Sequence, residues 1–163
     1  MKLKYLLFLI LMCFISLGVS AEQILLKGFV EKVPDSFFGT WRVVSQRIET
    51  NSPAVFQQKG VDLWNLSMEN NVINLSNPFS GAAAQIEIQS VNNNKVEFTK
   101  KGKYGNKMLT DTVNISITGD NFTGVNTLLL ETISDVDGSV RKTETAKYAI
   151  KGERLAGQSV GKD

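Results

Sequence analysis

From Phe38 onward, apolar residues return at every second position, the period of a strand with one buried and one wet face. Trp41 and Val43 alternate with Arg42 and Val44, and Ile86 and Ile88 sit between Gln85, Glu87 and Gln89. Val96 and Phe98 alternate with Lys95, Glu97 and Thr99, and Val113, Ile115 and Ile117 with Thr112, Asn114 and Ser116. Near the end, Ala146, Tyr148 and Ile150 alternate with Thr145, Lys147 and Ala149. No apolar spacing of helical period competes with this rhythm. Between the runs stand Asn70-Asn71, Asn92-Asn93-Asn94, Gly119-Asp120-Asn121 and Asp137-Gly138, residues that accept positive φ or close turns with their own side chains; Asp137-Gly138 reads as a type I′ hairpin turn.

The pattern predicts strands over 24–31, 40–49, 61–68, 72–76, 83–91, 95–101, 108–118, 121–133 and 139–151, with short links that favour antiparallel neighbours. An all-β up-and-down meander of eight or nine strands must dispose of its edges, and closure into a barrel does so. A two-sheet β-sandwich is the competing architecture. Helical turns are expected only at Asp35-Ser36-Phe37 and within 51–60.

Ahead of this pattern lies a segment of different character. Lys2 and Lys4, an apolar run from Tyr5 to Leu17 and the small residues Val19-Ser20-Ala21 read as a cleaved export signal, 1–21, with the mature chain starting at Glu22. The run is short for a bilayer span, which takes about 20 residues. Cys13 is a poor lipidation site, because Met12 stands where a small residue is needed and Phe14-Ile15 follow. The mature protein is therefore expected to be secreted or periplasmic, with no transmembrane segment. The remaining 142 residues suit a single domain over 22–156, with 157–163 as a frayed tail. Removing Lys2 and Lys4 from 18 basic residues leaves 16, equal to the 16 acidic ones, so charge gives no reason to expect nucleic acid.

Phe37-Phe38-Gly39-Thr40-Trp41 leads into the first strong strand with a Gly-x-Trp, and this resembles the start of the lipocalin-like barrels of the calycin group. The resemblance implies a barrel in which Gly39 lets the chain bend sharply and Trp41 fills one end. It also implies an arginine laid over the tryptophan after the last strand, for which Arg154 is the candidate and Arg141 the lesser one. Thr110-Asp111 matches two positions of a further lipocalin motif, with Thr112 in place of its aromatic residue. The chain departs from the family in having no disulfide, no helix after the last strand and an additional apolar segment, Ile24–Val30.

The residue inventory narrows the chemistry. The chain has no histidine, and its one cysteine lies in the export segment, so a Ser-His-Asp triad, an imidazole metal site and a thiolate nucleophile are all closed to the mature protein. Ser139-Val140-Arg141-Lys142 and Ser159-Val160-Gly161-Lys162 have the Ser-x-x-Lys spacing without a helix start to carry it. Asp111, Glu131, Glu144 and Glu153 are the carboxylates available for glycosidic chemistry, which needs two of them in one cleft. Ser134–Gly138 opens like a calcium loop but lacks the later carboxylate. Four Asn-x-Ser/Thr sequons begin at Asn65, Asn74, Asn114 and Asn121 and matter only in a eukaryotic secretory route.

No catalytic residue, metal or cofactor is therefore expected. The leading expectation is a binding protein that encloses a small apolar or amphipathic ligand, with Trp41, Trp64, Ile86, Ile88 and Phe98 lining its cavity. Asn77-Pro78-Phe79-Ser80-Gly81, followed by Ala82, Ala83 and Ala84, would form a small-residue portal in a ligand-admitting barrel and a tight corner in a filled one. Lys100-Lys101-Gly102-Lys103-Tyr104 is expected as a solvated rim loop. The alternative is a non-enzymatic interaction protein with a solid core, whose rim loops grip a protein or an envelope polymer.

Overall fold

A computed structural model describes residue 30, residues 32–157 and residues 159–160. The expected export segment and, apart from Val30, the 24–31 strand lie outside the described residues. A 3-10 turn, Asp35–Phe37, precedes eight strands: β1 (Gly39–Thr50), β2 (Lys59–Glu69), β3 (Val72–Ser76), β4 (Ala83–Asn92), β5 (Lys95–Tyr104), β6 (Lys107–Thr118), β7 (Asn121–Ile133) and β8 (Val140–Ala156). A two-residue β9 (Ser159–Val160) follows, within the stretch expected to fray, and pairs in parallel with Ser67 and Met68 of β2.

Consecutive strands from β1 to β8 pair antiparallel, and β8 returns to pair with β1. The fold is thus an all-β meander in one sheet, as the alternation predicts, rather than a two-sheet sandwich. The ring is uneven. Pairing of β3 with β4 covers only Ile73–Ser76, while β7 and β8 run together from Asn121↔Glu153 to Ile133↔Val140. Two sequence expectations shift. The basic cluster is part of β5, which continues to Tyr104, and Asp137-Gly138 belongs to a longer link, where the Gly138 N–H reaches the Ser134 carbonyl at 2.9 Å and Ser139 N–H donates to the Asp137 carboxylate at 3.1 Å.

The β2–β3, β4–β5 and β6–β7 turns gather at one end of the ring, and the asparagines there do what the sequence suggests: Asn70, Asn71 and Asn93 hold positive φ. This end is filled with aromatic rings. Trp41 meets Phe122 edge-on at 5.1 Å, Trp64 stacks on Phe122 at 5.9 Å and lies 6.3 Å from Phe98, and Phe37 of the 3-10 turn closes over Phe98 at 5.7 Å. Phe122 is seated over Gly152, whose lack of a side chain makes the room. Each such ring withdraws about 150–250 Å² from water, so this plug is a large contributor to stability.

Candidate ligand-binding site

At the opposite end, where the β1–β2, β3–β4, β5–β6 and β7–β8 links lie, the sheet parts between two neighbours. β4 commits Ala83–Ile86 to β3, and its pairing with β5 starts only at Glu87↔Thr99, so Lys100–Tyr104 are held by β6 alone. A chamber of about 340 Å³ opens in this gap, within the range of small-ligand sites. Ala82, Ala83 and Ala84 form one jamb, and Lys100, Gly102 and Tyr104 the other. Leu75 and Leu109 supply apolar wall, and Asp62 and Asp111 the acidic groups.

The jamb is built by Asn77. Its side-chain oxygen accepts the N–H groups of Phe79 at 2.9 Å and Ser80 at 3.1 Å, its own N–H reaches the Ala82 carbonyl at 2.7 Å, and its amide donates to Asp62. The loop is thereby pinned while Phe79 points into solvent, 88% exposed. Asp62 also accepts the indole N–H of Trp64 at 3.0 Å, which ties the edge of the chamber to the aromatic plug.

Asp111 and Lys100 are directly opposite on the β5–β6 hairpin, with Nζ 3.1 Å from one carboxylate oxygen, Oδ2. Asp111 is only 4% exposed, and its other oxygen, Oδ1, has no partner among the described residues. Burial pushes its carboxyl above the usual value of 3.8, and the Lys100 ammonium and the Asn126 amide offset only part of that rise. A folded-state proton held more tightly than the unfolded one makes this group most favourable to folding below the unfolded value and less so as pH rises through the folded one. Asp111→Asn removes the dependence. Its melting temperature relative to the parent should therefore climb between pH 4 and pH 7, and a flat difference across a pH series of thermal melts would contradict the assignment.

Across the open end, Glu144 is buried and differently placed: the Lys142 ammonium, at 2.8 Å, and the Ser52 hydroxyl, at 2.5 Å, hold its carboxyl below the ordinary range. Glu153 is exposed and faces Arg42 at 3.8 Å on the outer wall. Among the described residues no three His, Cys, Asp or Glu side chains gather as a metal-binding group, and no helix is long and apolar enough to cross a membrane.

The residues expected to line a cavity sit elsewhere. Trp41, Trp64, Ile86, Ile88 and Phe98 are all buried in the core, and none borders the chamber. The structural trio comes together. Gly39 has φ +123°, and a side chain there would meet the Gly157 and Ala156 carbonyls and the Arg154 guanidinium within 2.8 Å. Arg154 lies over the Trp41 ring at 4.1 Å, donates to the carbonyls of Phe38 and Ser36, and is paired with Asp120 at 3.1 Å. Arg141, the lesser candidate, is at the start of β8, paired with Asp137 of the β7–β8 link.

The chain matches no family model, no curated protein and no solved structure. The functional reading accordingly stands on this site's own geometry. Sequence reasoning noted both jambs separately, as a portal loop and a basic cluster, but did not join them. One pair within the site was readable, since a hairpin turning on Gly105-Asn106 sets Lys100 opposite Asp111, whereas the approach of the two jambs depends on β4 leaving β3 for β5. A larger depression, of about 570 Å³, lies on the outward side of β5–β8 among Thr112, Asn114, Thr123 and Lys147, lined mostly by polar side chains with Val125 among them.

Proposed function

We propose that this protein is an exported, non-enzymatic, lipocalin-like carrier that holds a small amphipathic molecule in the open half of its barrel. The observation that carries the reading is the chamber of about 340 Å³ between β4 and β5, apolar along Leu75, Leu109 and Ala84 and charged at Asp62, Lys100 and Asp111. Apolar wall with a few convergent polar groups is the usual composition of a small-molecule site. Binding is by enclosure, each buried ligand CH₂ contributing about 0.8 kcal/mol while the charged groups orient its polar end. The filled floor confines the ligand to the mouth. Arg154 lying over Trp41 at a Gly39 bend is the arrangement that the lipocalin resemblance implies, and it supports that part of the reading.

Native mass spectra of residues 22–163, purified gently from the source, should show a stoichiometric small molecule, and stripping and returning it should shift tryptophan emission through Trp64. Ala84→Phe, which fills the chamber, should release it. An apo mass together with no response to a panel of lipids and aromatic metabolites would overturn the carrier reading. One feature favours the interaction-protein alternative: each of the four links at the open end has an exposed apolar residue in it or at its edge, Val55, Phe79, Tyr104 and Val136. Recovery of a protein or envelope polymer whose binding is lost in Phe79→Ser, with no small molecule present, would support that alternative.

A further inference from the structure

The parting of β4 from β5 leaves an unpaired strand edge as well as a chamber. In the register set by Glu87↔Thr99, Ile86 back to Ala83 would continue opposite Lys100 to Lys103, but these pairs are not made: Ala83–Ile86 are held by β3 and Lys100–Tyr104 by β6. Every second residue of a strand turns its N–H and C=O to the same side, so Lys100–Tyr104 present backbone donors and acceptors to the gap. Continuing the alternation that buries Phe98, Lys101 and Lys103 point outward; both are exposed, and neither is in an ion pair among the described residues. Glu87, where the gap begins, is the one acidic side chain on the outward rows of Ala83–Glu87 and Thr99–Tyr104, so the edge is net positive. A free edge invites a second copy of itself, and lysines oppose this by setting like charges side by side. The two lysines that repel another copy of the edge attract a strand carrying carboxylates at alternate residues.

We infer that the free edge of β5, Lys100–Tyr104, takes up an extended acidic peptide by strand addition. Main-chain hydrogen bonds to β5 hold the peptide backbone, and alternate side chains give the selectivity. Carboxylates on the outward side of the peptide lie beside Lys101 and Lys103, and small apolar residues on its inward side enter the chamber against Leu75, Leu109 and Ala84. The edge is about 17 Å long at the rise of a strand, so a segment of about seven residues covers it. The inference goes beyond the carrier reading, because strand addition needs no enclosed small molecule.

Four capped heptapeptides, titrated separately at pH 7 into residues 22–163 by calorimetry, test it: one of alternating Glu and Val, its counterpart of alternating Lys and Val, and two N-methylated forms of the first, methylated at every Val or at every Glu. The Glu-Val peptide is expected to bind at one site, and the Lys-Val peptide at least about tenfold more weakly, because its charges meet those of Lys101 and Lys103. At least one methylated form should lose about tenfold or more, since alternate amides face β5 and each backbone bond lost weakens binding severalfold. The double variant Lys101→Glu, Lys103→Glu, changed only at exposed positions, should reverse the preference between the two charged peptides. Hydrogen exchange should show the amides of Lys100–Tyr104 gaining protection when the Glu-Val peptide binds. Equal binding of both methylated forms and their parent, a charge preference unchanged in the double variant, or protection confined to other strands would overturn strand addition. So would failure of the Glu-Val peptide to bind the folded protein, a result that leaves the carrier reading standing on its own test, the co-purified small molecule.

Discussion

Trp41→Ala is expected to lower unfolding free energy by about 4 kcal/mol, the size of effect seen when a large buried aromatic is truncated in a core that cannot collapse around the gap. Trp41 is fully buried, its ring meets Phe122, and its indole N–H donates to the Phe37 carbonyl at 3.1 Å. The substitution also removes the face on which Arg154 lies. Urea denaturation of Trp41→Ala, Arg154→Leu and the double variant should show a coupling of about 1 kcal/mol between the two sites, since a cation over an indole contributes about that much when partly withdrawn from water. Additive losses would mean that Arg154 acts through Asp120 and the Phe38 and Ser36 carbonyls and not through the ring. A Trp41→Ala loss under about 1 kcal/mol would contradict a packed floor.

Gly152→Ala is expected to cost about 3 kcal/mol or more, although it adds a single methyl group. The added carbon would stand 2.1 Å from Phe122 Cε1 and 2.4 Å from Cζ, so the ring must leave its seat. It has nowhere to go, because Trp41 and Trp64 flank it. The loss should be smaller in a Phe122→Leu background, where the clashing ring is gone, even though Phe122→Leu alone is destabilising. Such a rescue is diagnostic of contact between two positions, and thermal melts of the four proteins would reveal it. Simple addition of the two losses would place Gly152 away from Phe122.

Most of the strand positions are legible in the sequence, because each one-sided strand writes its alternation directly into residue order and each tight turn demands asparagine or glycine. Gly39, Trp41 and Arg154 were legible as a trio for a different reason, the resemblance of a short motif. Which inward residues meet one another was not legible. Trp64 and Phe98 alternate inward as cavity walls would, yet they pack against each other, Trp64 also on Phe122 and Phe98 under Phe37, a matter of side-chain size at a shared height in the ring that no single strand records. The chamber was hidden for a related reason: it exists because β4 changes partner between Ile86 and Glu87, and partner exchange is a relation between strands rather than a property of one. β8 outran its expected end at 151 because Gly152 and Arg154 interrupt the apolar rhythm while still facing inward, Gly152 against Phe122 and Arg154 against Trp41.

Closure by the last long strand also sets the order in which this chain can become a protein. β1 is bordered on one side by β8, and Arg154 reaches back to the Phe38 carbonyl across 116 residues. A chain emerging from its N-terminus can form the hairpins from β2 to β7 early, but β1 keeps an open edge and the aromatic floor lacks Gly152 and Arg154 until the final stretch has followed. A pairing this distant in sequence forms more slowly than the hairpins between consecutive strands, because more chain must be ordered to close it. Under the proposed export, that delay is useful: a polypeptide whose ring cannot shut before its last strand arrives stays threadable through a membrane pore until the crossing is nearly complete.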